Sequence, residues 1–375
     1  MEFNLNNFDL ITQQQQLDKV IAAYQKATVL FLDTEFVRTK TFYAQLGLIQ
    51  VYDGTTGVLI DPTYDLDLSA FWTLLTNPSI IKVLHSAHED LEIFLHYGQC
   101  QPTPLFDTQV AASLNGFGSA VGYANLVHQL LGVSLDKTES RTNWLARPLT
   151  PEQLDYAAKD VLYLEKIYHI LSERLDYQQR LDWVFEEGRY ACSIRIEPVK
   201  PELAYLDIKN AYQLSERQLA VLRALASWRL QQARAKNLAV GFIVKENGLM
   251  ALAKKMPDTL EDLLQIKSLL PKEKQKYGLS LLQCIQEGLA VDDLPEKIDV
   301  LYFNTRYKSD FQQVKDILKS IADEYVIPIE MIGSKKLIHQ YLKWVWNDHQ
   351  APEPLLNVGW RAQLCAEKLQ QITMK

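Results

Sequence analysis

Short apolar runs separated by turn signals occupy the first 60 residues and predict β-structure. Residues 28–32 form a run suited to a buried strand, and residues 46–52 form a second. Asp53-Gly54, a strong turn signal, separates the second run from a third at residues 58–60. Three strands joined by short connections favour an antiparallel meander. Residues 80–84 predict a fourth strand.

From residue 87 onward the apolar positions follow a helical period. Residues 87–97 predict a helix that ends at Gly98, a position suited to a left-handed cap. A stronger helix start lies at Thr150, which has Pro151 after it and Gln153 to complete a capping box. We expect this helix to extend to about residue 171.

The later part of the chain is helical almost to its end. Ser215 and Gln218 form another capping box at the start of an apolar stripe. The prolines and mixed composition of residues 193–210 indicate a linker, and residues 291–295 mark a second seam. The predicted fold class is α+β followed by all-α. The expected segments are an α+β domain over 1–197, a linker over 198–210, and helical domains over 211–290 and 291–375.

Composition narrows the protein class. Hydrophobic residues make up 47% and charged residues 23%, which is typical of a globular protein. No apolar window is long enough for a membrane span. The net charge of −7 argues against a surface that is basic throughout. The four cysteines are too widely spaced for a zinc knuckle or a small disulfide scaffold, so we expect a reducing cytoplasm.

An acidic pair follows the first predicted strand. Alternation along a strand sends the carboxylates of Asp33 and Glu35 to one face of the sheet, where they could hold a divalent cation. With 46 acids in 375 residues, about five or six such pairs are expected by chance. An isolated pair is therefore more typical of a solvated strand end.

Three further residues change the interpretation of that pair. Asp90 lies early in the helix after the fourth strand, and Tyr156 precedes Asp160 by one helical turn, on one face. Hydrolysis of a phosphodiester by two metal ions requires clustered carboxylates, because hard cations prefer oxygen ligands. A phenol beside them can align the attacking water. The set therefore predicts two Mg²⁺ or Mn²⁺ ions.

The order and spacing of these residues resemble a known superfamily. Asp33-x-Glu35, Asp90 and Tyr156-x3-Asp160 resemble the three motifs of the DEDD exonucleases of the Tyr subtype. Residues 106–109, 135–149 and 155–161 are similar to the bacterial ribonuclease D family, and this likeness covers essentially the whole chain.

The resemblance implies a ribonuclease H-like exonuclease domain with a mixed sheet, and stepwise 3′→5′ release of nucleoside 5′-monophosphates. It implies that Asp33, Glu35, Asp90 and Asp160 are metal ligands and that Tyr156 positions the water. Asp107 directly precedes a predicted helix, so we interpret it as an N-cap and leave it out of the metal set.

Several residues are candidates for holding the substrate. Aromatic side chains could stack on terminal bases and cations could contact phosphates; the candidates are Phe36, Lys137, Arg141, Trp144 and Arg147. The alternative is that Trp144 anchors the core and that the cations are surface residues. His85 is either close to the site or an ordinary hydrogen-bonded side chain.

Residues 214–255 form a basic helical segment with eight lysines and arginines against two glutamates. Arg223 and Arg234 are eleven residues apart, about three turns, so they project alike and could follow phosphates. The segment resembles the HRDC domain. The last 85 or so residues resemble the second, diverged HRDC domain that ribonuclease D carries. Individual lysine and arginine side chains of the basic segment could instead lie along the surface of the helix that carries them.

The leading functional prediction is a metal-dependent 3′–5′ exoribonuclease that acts on RNA, such as tRNA precursors with 3′ extensions. The alternatives are a DNA-directed 3′–5′ exonuclease and an inactive RNA-binding or scaffold protein. Clustered acids argue against the scaffold, because they would repel phosphate. No nucleoside triphosphate is expected, since Gly333-Ser334-Lys335-Lys336 lacks the earlier glycine of a phosphate-binding loop.

Overall fold

The structure is a computed structural model that describes residues 8–136, 138–195 and 199–371. Its chain divides into two compact units. The first unit contains Met1–Val37, Leu46–Ile196 and Leu301–Lys375, and the second contains Arg38–Gln45 and Glu197–Val300. None of the helices in the described residues is long and apolar enough to cross a membrane.

A six-stranded mixed sheet forms the centre of the first unit, in the order β1-β4-β3-β2-β5-β6. The strands are β1 (Phe8–Ile11), β2 (Val29–Val37), β3 (Gln45–Tyr52), β4 (Gly57–Ile60), β5 (Ile81–Leu84) and β6 (Leu105–Asp107). β3 and β4 pair antiparallel, whereas β1 with β4, β2 with β5 and β5 with β6 pair parallel. The predicted mixed sheet is confirmed, and it is larger than the expected meander.

Seven helices accompany this sheet within residues 8–195 of the described chain. They are α1 (Gln14–Tyr24), α2 (Ser69–Leu75), α3 (His88–Gly98), α4 (Thr108–Leu114), α5 (Tyr123–Leu131), α6 (Pro151–Tyr177) and α7 (Leu181–Ser193). α6 begins at the predicted capping box: Thr150 Oγ1 accepts from the backbone of Gln153 at 3.2 Å, and the Gln153 side chain accepts from the backbone of Thr150 at 3.0 Å.

Three local predictions were wrong. The first 60 residues are not β-structure throughout, because Leu17, Ile21 and Tyr24 bury one face of α1. β2 continues to Val37, so the acidic pair lies inside the strand rather than at its end. The left-handed residue after α3 is Gln99, with φ 48°, and not the preceding glycine.

A glycine is required at residue 98 by helix packing instead. A Cβ on this residue would lie 2.6 Å from the ring of Trp72, so a side chain would collide with α2. The glycine therefore permits the close approach of α2 and α3 rather than an unusual backbone angle.

The C-terminal helices of the first unit share its hydrophobic core. They are α13 (Tyr307–Tyr325), α14 (Ile329–Gly333), α15 (Lys335–Trp346) and α16 (Gly359–Gln370). Trp360 stacks on Trp183 of α7, with ring centroids 4.9 Å apart. Arg361 pairs with Glu187 of α7 and also donates to the backbone oxygen of Ile332 at 3.0 Å. A buried ion pair and a tryptophan stack thus fix this segment on α7.

The second unit is a helical bundle. Its helices in the described chain are α8 (Glu216–Ala235), α9 (Val240–Ile243), α10 (Glu246–Lys255), α11 (Leu260–Leu264) and α12 (Pro271–Ala290). α8 begins at the predicted Ser215 capping box. Within the predicted linker, Pro201–Asp207 forms a 3₁₀ helix, and Tyr205 and Ile208 are buried in the core of this unit. The proposed domain boundaries remain predictions.

The Glu187–Arg361 ion pair provides a stability prediction. Glu187→Ala leaves the guanidinium of Arg361 buried without its counter-charge, so we expect the free energy of unfolding to fall by about 3 kcal/mol. Denaturant unfolding of the full chain measures this loss. Lys368→Ala is the control, because its pair with Glu324 is exposed and its loss should cost less than about 1 kcal/mol. Equal losses in the two variants would contradict the expected importance of the buried pair.

Candidate active site

Three carboxyl groups converge at the middle of the sheet. Asp33 and Glu35 project from β2, and Asp160 projects from α6. Each offers one oxygen, and these oxygens lie within 4.8 Å of one another. Strand alternation brings the first two together, and the predicted helix start sets the position of the third. Hard divalent cations take such oxygen ligands, so this donor set fits a Mg²⁺ or Mn²⁺ site.

Burial and, for two of the three acids, neighbouring negative charges increase the proton affinity of these groups. Burial raises the pKa of Asp33 well above its usual range, and the charges of Asp160, Asp90 and Glu35 raise it further. Burial, followed by the charges of Asp160 and Asp90, raises the pKa of Glu35 to about 9. Burial also raises the pKa of Asp160 to about 7. A divalent cation would reverse this balance, because it stabilises the charged carboxylates.

Asp90 lies beside this group of three. It is 6% exposed in the first turn of α3, and its carboxyl accepts a hydrogen bond from Thr34 Oγ1 at 2.5 Å. Burial raises the pKa of Asp90 to about 7. Its charge acts on Asp33 and Glu35, although its oxygens are not among those within 4.8 Å. The structure therefore places the fourth predicted acid next to the other three.

Tyr156 lies one turn before Asp160 on α6 and hydrogen-bonds to its carboxyl group. Burial raises the pKa of the phenol, and the negative charges of Asp160, Glu35 and Asp33 raise it further. At neutral pH the hydroxyl thus keeps its proton. Such a group can orient a water molecule through hydrogen bonds, but it does not act as a base in this state.

Asp107 holds the segment before α3. Its carboxylate accepts from the backbone of Gln109, which confirms the N-cap interpretation, and from the backbones of Ser86 and Ala87 at 2.9 Å each. Ser86 has φ 58°, so this turn needs external support. Asp107 therefore positions the start of α3, the helix that carries Asp90.

A cavity of about 210 Å³ opens beside the acids. His85 lines it, and the two ring nitrogens of this residue contact Thr108 Oγ1 at 2.9 Å and Val121 O at 3.1 Å. Burial lowers the pKa of His85. Both sequence interpretations of His85 thus hold, since it is hydrogen-bonded and close to the site.

Sequence reasoning gave no role to several other residues of this cavity, among them Tyr123 and Leu135. The Tyr123 hydroxyl donates to the backbone oxygen of Lys159 at 3.0 Å, which ties α5 to α6 beside the acids. Tyr123 is the first residue of α5, directly after Gly122, and a helix start of this kind carries no signal of a functional site.

The predicted substrate residues have diverse surroundings. Phe36 is half-buried on β2 directly after Glu35, and Arg141 is exposed at the end of a short 3₁₀ helix. Both locations agree with contacts to a nucleic acid. Lys137 lies outside the described residues.

Trp144 and Arg147 interact within the protein instead. Trp144 is 1% exposed, and its ring centroid is 6.1 Å from that of Tyr156. Arg147 pairs with the buried Asp61 and donates to the backbone oxygens of Gly47 and Trp144. These contacts favour the alternative for Trp144, that of a core anchor, and they occupy the guanidinium of Arg147.

In the second unit, the two predicted arginines make backbone contacts. Arg223 donates to Asp293 O at 3.0 Å, and Arg234 donates to Val199 O at 2.6 Å. Both side chains are only half-buried, so part of each remains accessible. Their contacts with phosphates remain predictions.

The fold and the acidic site define a 3′–5′ exonuclease. A family model described as 3′-5′ exonuclease matches residues 8–176, one described as HRDC domain matches 218–285, and one described as ribonuclease D, C-terminal HRDC domain matches 305–369. DEDD exonuclease domains use divalent metal ions. The predicted fold class, with two HRDC domains after the exonuclease domain, is thereby confirmed.

Relatives over the full length identify the family more closely. Ribonuclease D of Shewanella sp. (strain ANA-3) is 50% identical over 372 residues, which covers 99% of this chain and 96% of the relative. Ribonuclease D of Escherichia coli (strain K12) is 40% identical over 369 residues, or 98% of each chain. The crystal structure of Escherichia coli RNase D has a TM-score of 0.93, at 40% identity, and covers 97% of this chain and 98% of that one.

The chain therefore belongs to the ribonuclease D family and is a 3′–5′ exoribonuclease that acts on RNA.

The raised carboxyl pKa values predict how stability depends on pH without metal. The folded state of Asp160 keeps its proton up to about pH 7, whereas the unfolded chain loses it near the ordinary value of 3.8. Stability of the metal-free protein should therefore fall as the pH rises through this window. Asp160→Asn removes this loss, so its thermal midpoint should exceed that of the wild type at high pH more than at low pH.

Thermal unfolding in chelator across the pH range tests this expectation. Asp155→Asn is the matched control, because Asp155 lies on the same helix and is paired with Lys159 on the surface. A difference between Asp160→Asn and the wild type that does not change with pH would show that burial of the charged Asp160 carboxylate does not limit stability.

Proposed function

We propose that this enzyme shortens RNA one nucleotide at a time from the 3′ end and releases nucleoside 5′-monophosphates, with Asp33, Glu35, Asp90, Tyr156 and Asp160 as its catalytic residues. The observation that carries the proposal is the convergence of three carboxyl oxygens within 4.8 Å. A fold that gathers like charges in this way does so at a cost to its own stability, which binding of cations offsets.

The four acids are the proposed metal ligands. Two bound Mg²⁺ or Mn²⁺ ions would stabilise the charge on the entering and leaving oxygens of the phosphodiester. Asp33, Glu35 and Asp160 offer oxygens at one place, and Asp90 is held beside them by its hydrogen bond with Thr34.

Tyr156 is the proposed water-positioning group. Its hydroxyl contacts Asp160 and remains protonated, so it can hold the attacking water in line without accepting its proton. The cavity beside the acids offers His85, Tyr123 and Leu135 as neighbours of the terminal nucleotide.

The physiological substrates we propose are structured RNAs, in particular tRNA precursors with 3′ extensions. The Escherichia coli relative is described as an exoribonuclease involved in structured RNA processing, and it aligns with this chain over nearly its full length. All four cysteines are thiols, which agrees with a reducing cytoplasm as the proposed location. Nothing in the described geometry favours DNA as the substrate.

We propose the following division of the chain: an exonuclease domain over 1–197, a linker over 198–210, an HRDC domain over 211–290 and a second HRDC-like domain over 291–375. The three family matches fall inside the proposed domains. Phe36, Lys137, Arg141, Arg223 and Arg234 remain proposed RNA contacts. For Trp144 and Arg147 we propose a supporting role beside the site, because their described contacts are with other groups of the protein.

Asp33→Asn should abolish the metal-dependent release of mononucleotides, because it removes a charged ligand from the site. The assay incubates 3′-extended tRNA with Mg²⁺, Mn²⁺ or chelator and identifies the products by chromatography. Asp65→Asn is a matched control, since Asp65 and Asp67 form an acid-x-acid pair of the kind that arises by chance. Undiminished activity of Asp33→Asn would remove Asp33 from the metal set. Equal rates on matched single-stranded DNA would contradict the RNA preference.

Tyr156→Phe should lower kcat by roughly 10²-fold and leave KM nearly unchanged, because the hydroxyl acts on the water and not on substrate binding. Single-turnover hydrolysis of labelled RNA separates the two effects. Tyr177→Phe, at the exposed end of the same helix, is the control. A rise in KM at constant kcat would assign Tyr156 to substrate binding instead.

A further inference from the structure

A groove of about 650 Å³ lies on the C-terminal helices of the first unit. One wall is α13, and the other is formed by α14 and the first turns of α15. Its lining includes the cationic side chains of Lys308, Lys315 and Lys335 together with the rings of Tyr307 and Phe311. None of the residues that line this groove belongs to the acidic site.

Positive charge is concentrated in this groove. Lys308 and Lys315 are seven residues apart on α13, which places them on one face two turns apart. All three lysines are exposed, and Glu330 is the one acid in the described lining. The segment 301–371 as a whole is close to neutral, with nine lysines and arginines against eight acids. The excess of positive charge is therefore local to the groove.

The aromatic part of the groove is held in place. The rings of Tyr307 and Phe311 are 5.4 Å apart and half-buried, and the Tyr307 hydroxyl contacts His339 Nε2 at 2.9 Å. Burial lowers the pKa of His339, and the charges of Lys335 and Lys343 lower it further. The field at the groove is thus positive around a rigid aromatic surface.

We propose that this groove binds a single-stranded stretch of the RNA substrate, with its lysines on phosphates and its aromatic side chains against bases. The proposal rests on RNA hydrolysis as the function of the chain. Grooves that combine cations with stacking surfaces suit single-stranded nucleic acid of any sequence, because every base has a stacking face and every linkage a charge. An acidic peptide would satisfy the lysines but not the rings.

The double variant Lys308→Glu/Lys315→Glu tests the proposal. Its binding to a labelled RNA of about 20 nucleotides, longer than a typical groove of this kind covers, is followed by fluorescence anisotropy in chelator, where no hydrolysis occurs. We expect Kd to rise roughly tenfold and the slope of log Kd against log salt to fall by about 1.4, at about 0.7 per phosphate contact. Lys19→Glu/Lys26→Glu is the matched control, because both lysines are exposed and the net charge changes equally.

Hydrolysis of a trinucleotide by the same double variant separates the groove from the acidic site. Hydrolysis of this short substrate requires only the acidic site, so its kcat and KM should match those of the wild type, whereas KM on the long RNA should rise. Failure of the wild type to release monophosphates would count against the proposed function and would leave the binding comparison in chelator intact.

Unchanged Kd and salt slope in the double variant would overturn the groove proposal. Loss of binding to polyglutamate with unchanged RNA binding would overturn it as well and would assign the groove to an acidic protein segment. Lys308→Gln/Lys315→Gln repeats the test without introducing repulsion, and its thermal midpoint verifies the fold. A retained affinity for RNA in this neutral variant would count against phosphate contacts by these lysines.

Discussion

Electrostatic repulsion among half-buried carboxyl groups is the constraint on which the rest of this structure depends. Separate acids on a surface avoid one another, but here Asp33, Glu35 and Asp160 are held with oxygens within 4.8 Å. Burial raises the pKa of all three, and the charges of neighbouring acids raise those of Asp33 and Glu35 further, so without a cation these groups favour bound protons. Only a rigid framework can hold such a group together. Because a cation both neutralises the charges and replaces the protons, metal affinity and proton affinity must compete at the same atoms.

The framework that resists this repulsion is regular secondary structure. Asp33 and Glu35 lie within the nine-residue strand β2, which pairs with β5 at Val29–Phe31, directly before the two acids. Asp160 lies in the third turn of a 27-residue helix, and reciprocal hydrogen bonds between Thr150 and Gln153 cap the start of this helix. Placing ligands on rigid elements rather than on loops reduces the freedom with which they could move apart.

The parts of this site that could be predicted from sequence are those set by local rules. The Thr150 capping box fixes the start of α6, and residue spacing then places Tyr156 and Asp160 on one face. The pair of Asp33 and Glu35, and the strand alternation that sends both side chains to one face, could be predicted in the same way. The strand length could not, because the apolar run ends at Leu32 and acidic residues have low strand propensity, yet β2 continues to Val37.

A partner distant in sequence explains why the substrate assignment of Arg147 lacks structural support. Arg147 was assigned to phosphate on its charge and its place in a family-like stretch. Its carboxylate partner, Asp61, precedes it by 86 residues, and no local pattern links the two. The N-cap role of Asp107 could be predicted from sequence, because it depends on the residues directly after it. Its contacts with Ser86 and Ala87 could not, because those residues lie far earlier in the chain.

The C-terminal helices are connected to the acidic site through a continuous set of contacts. Arg361 binds Glu187 on α7, and the next residue of that helix, Gly188, packs so closely on Leu105 of β6 that a Cβ would lie 2.4 Å from its carbonyl oxygen. β6 ends at Asp107, which supports the turn before α3 and hence Asp90. A segment whose side chains complete this core is part of the framework of the catalytic domain. The residues that make these contacts, Trp360 and Arg361 of α16, do not line the proposed groove, which α13, α14 and α15 form. A change of the groove lysines therefore leaves the contacts with α7 in place.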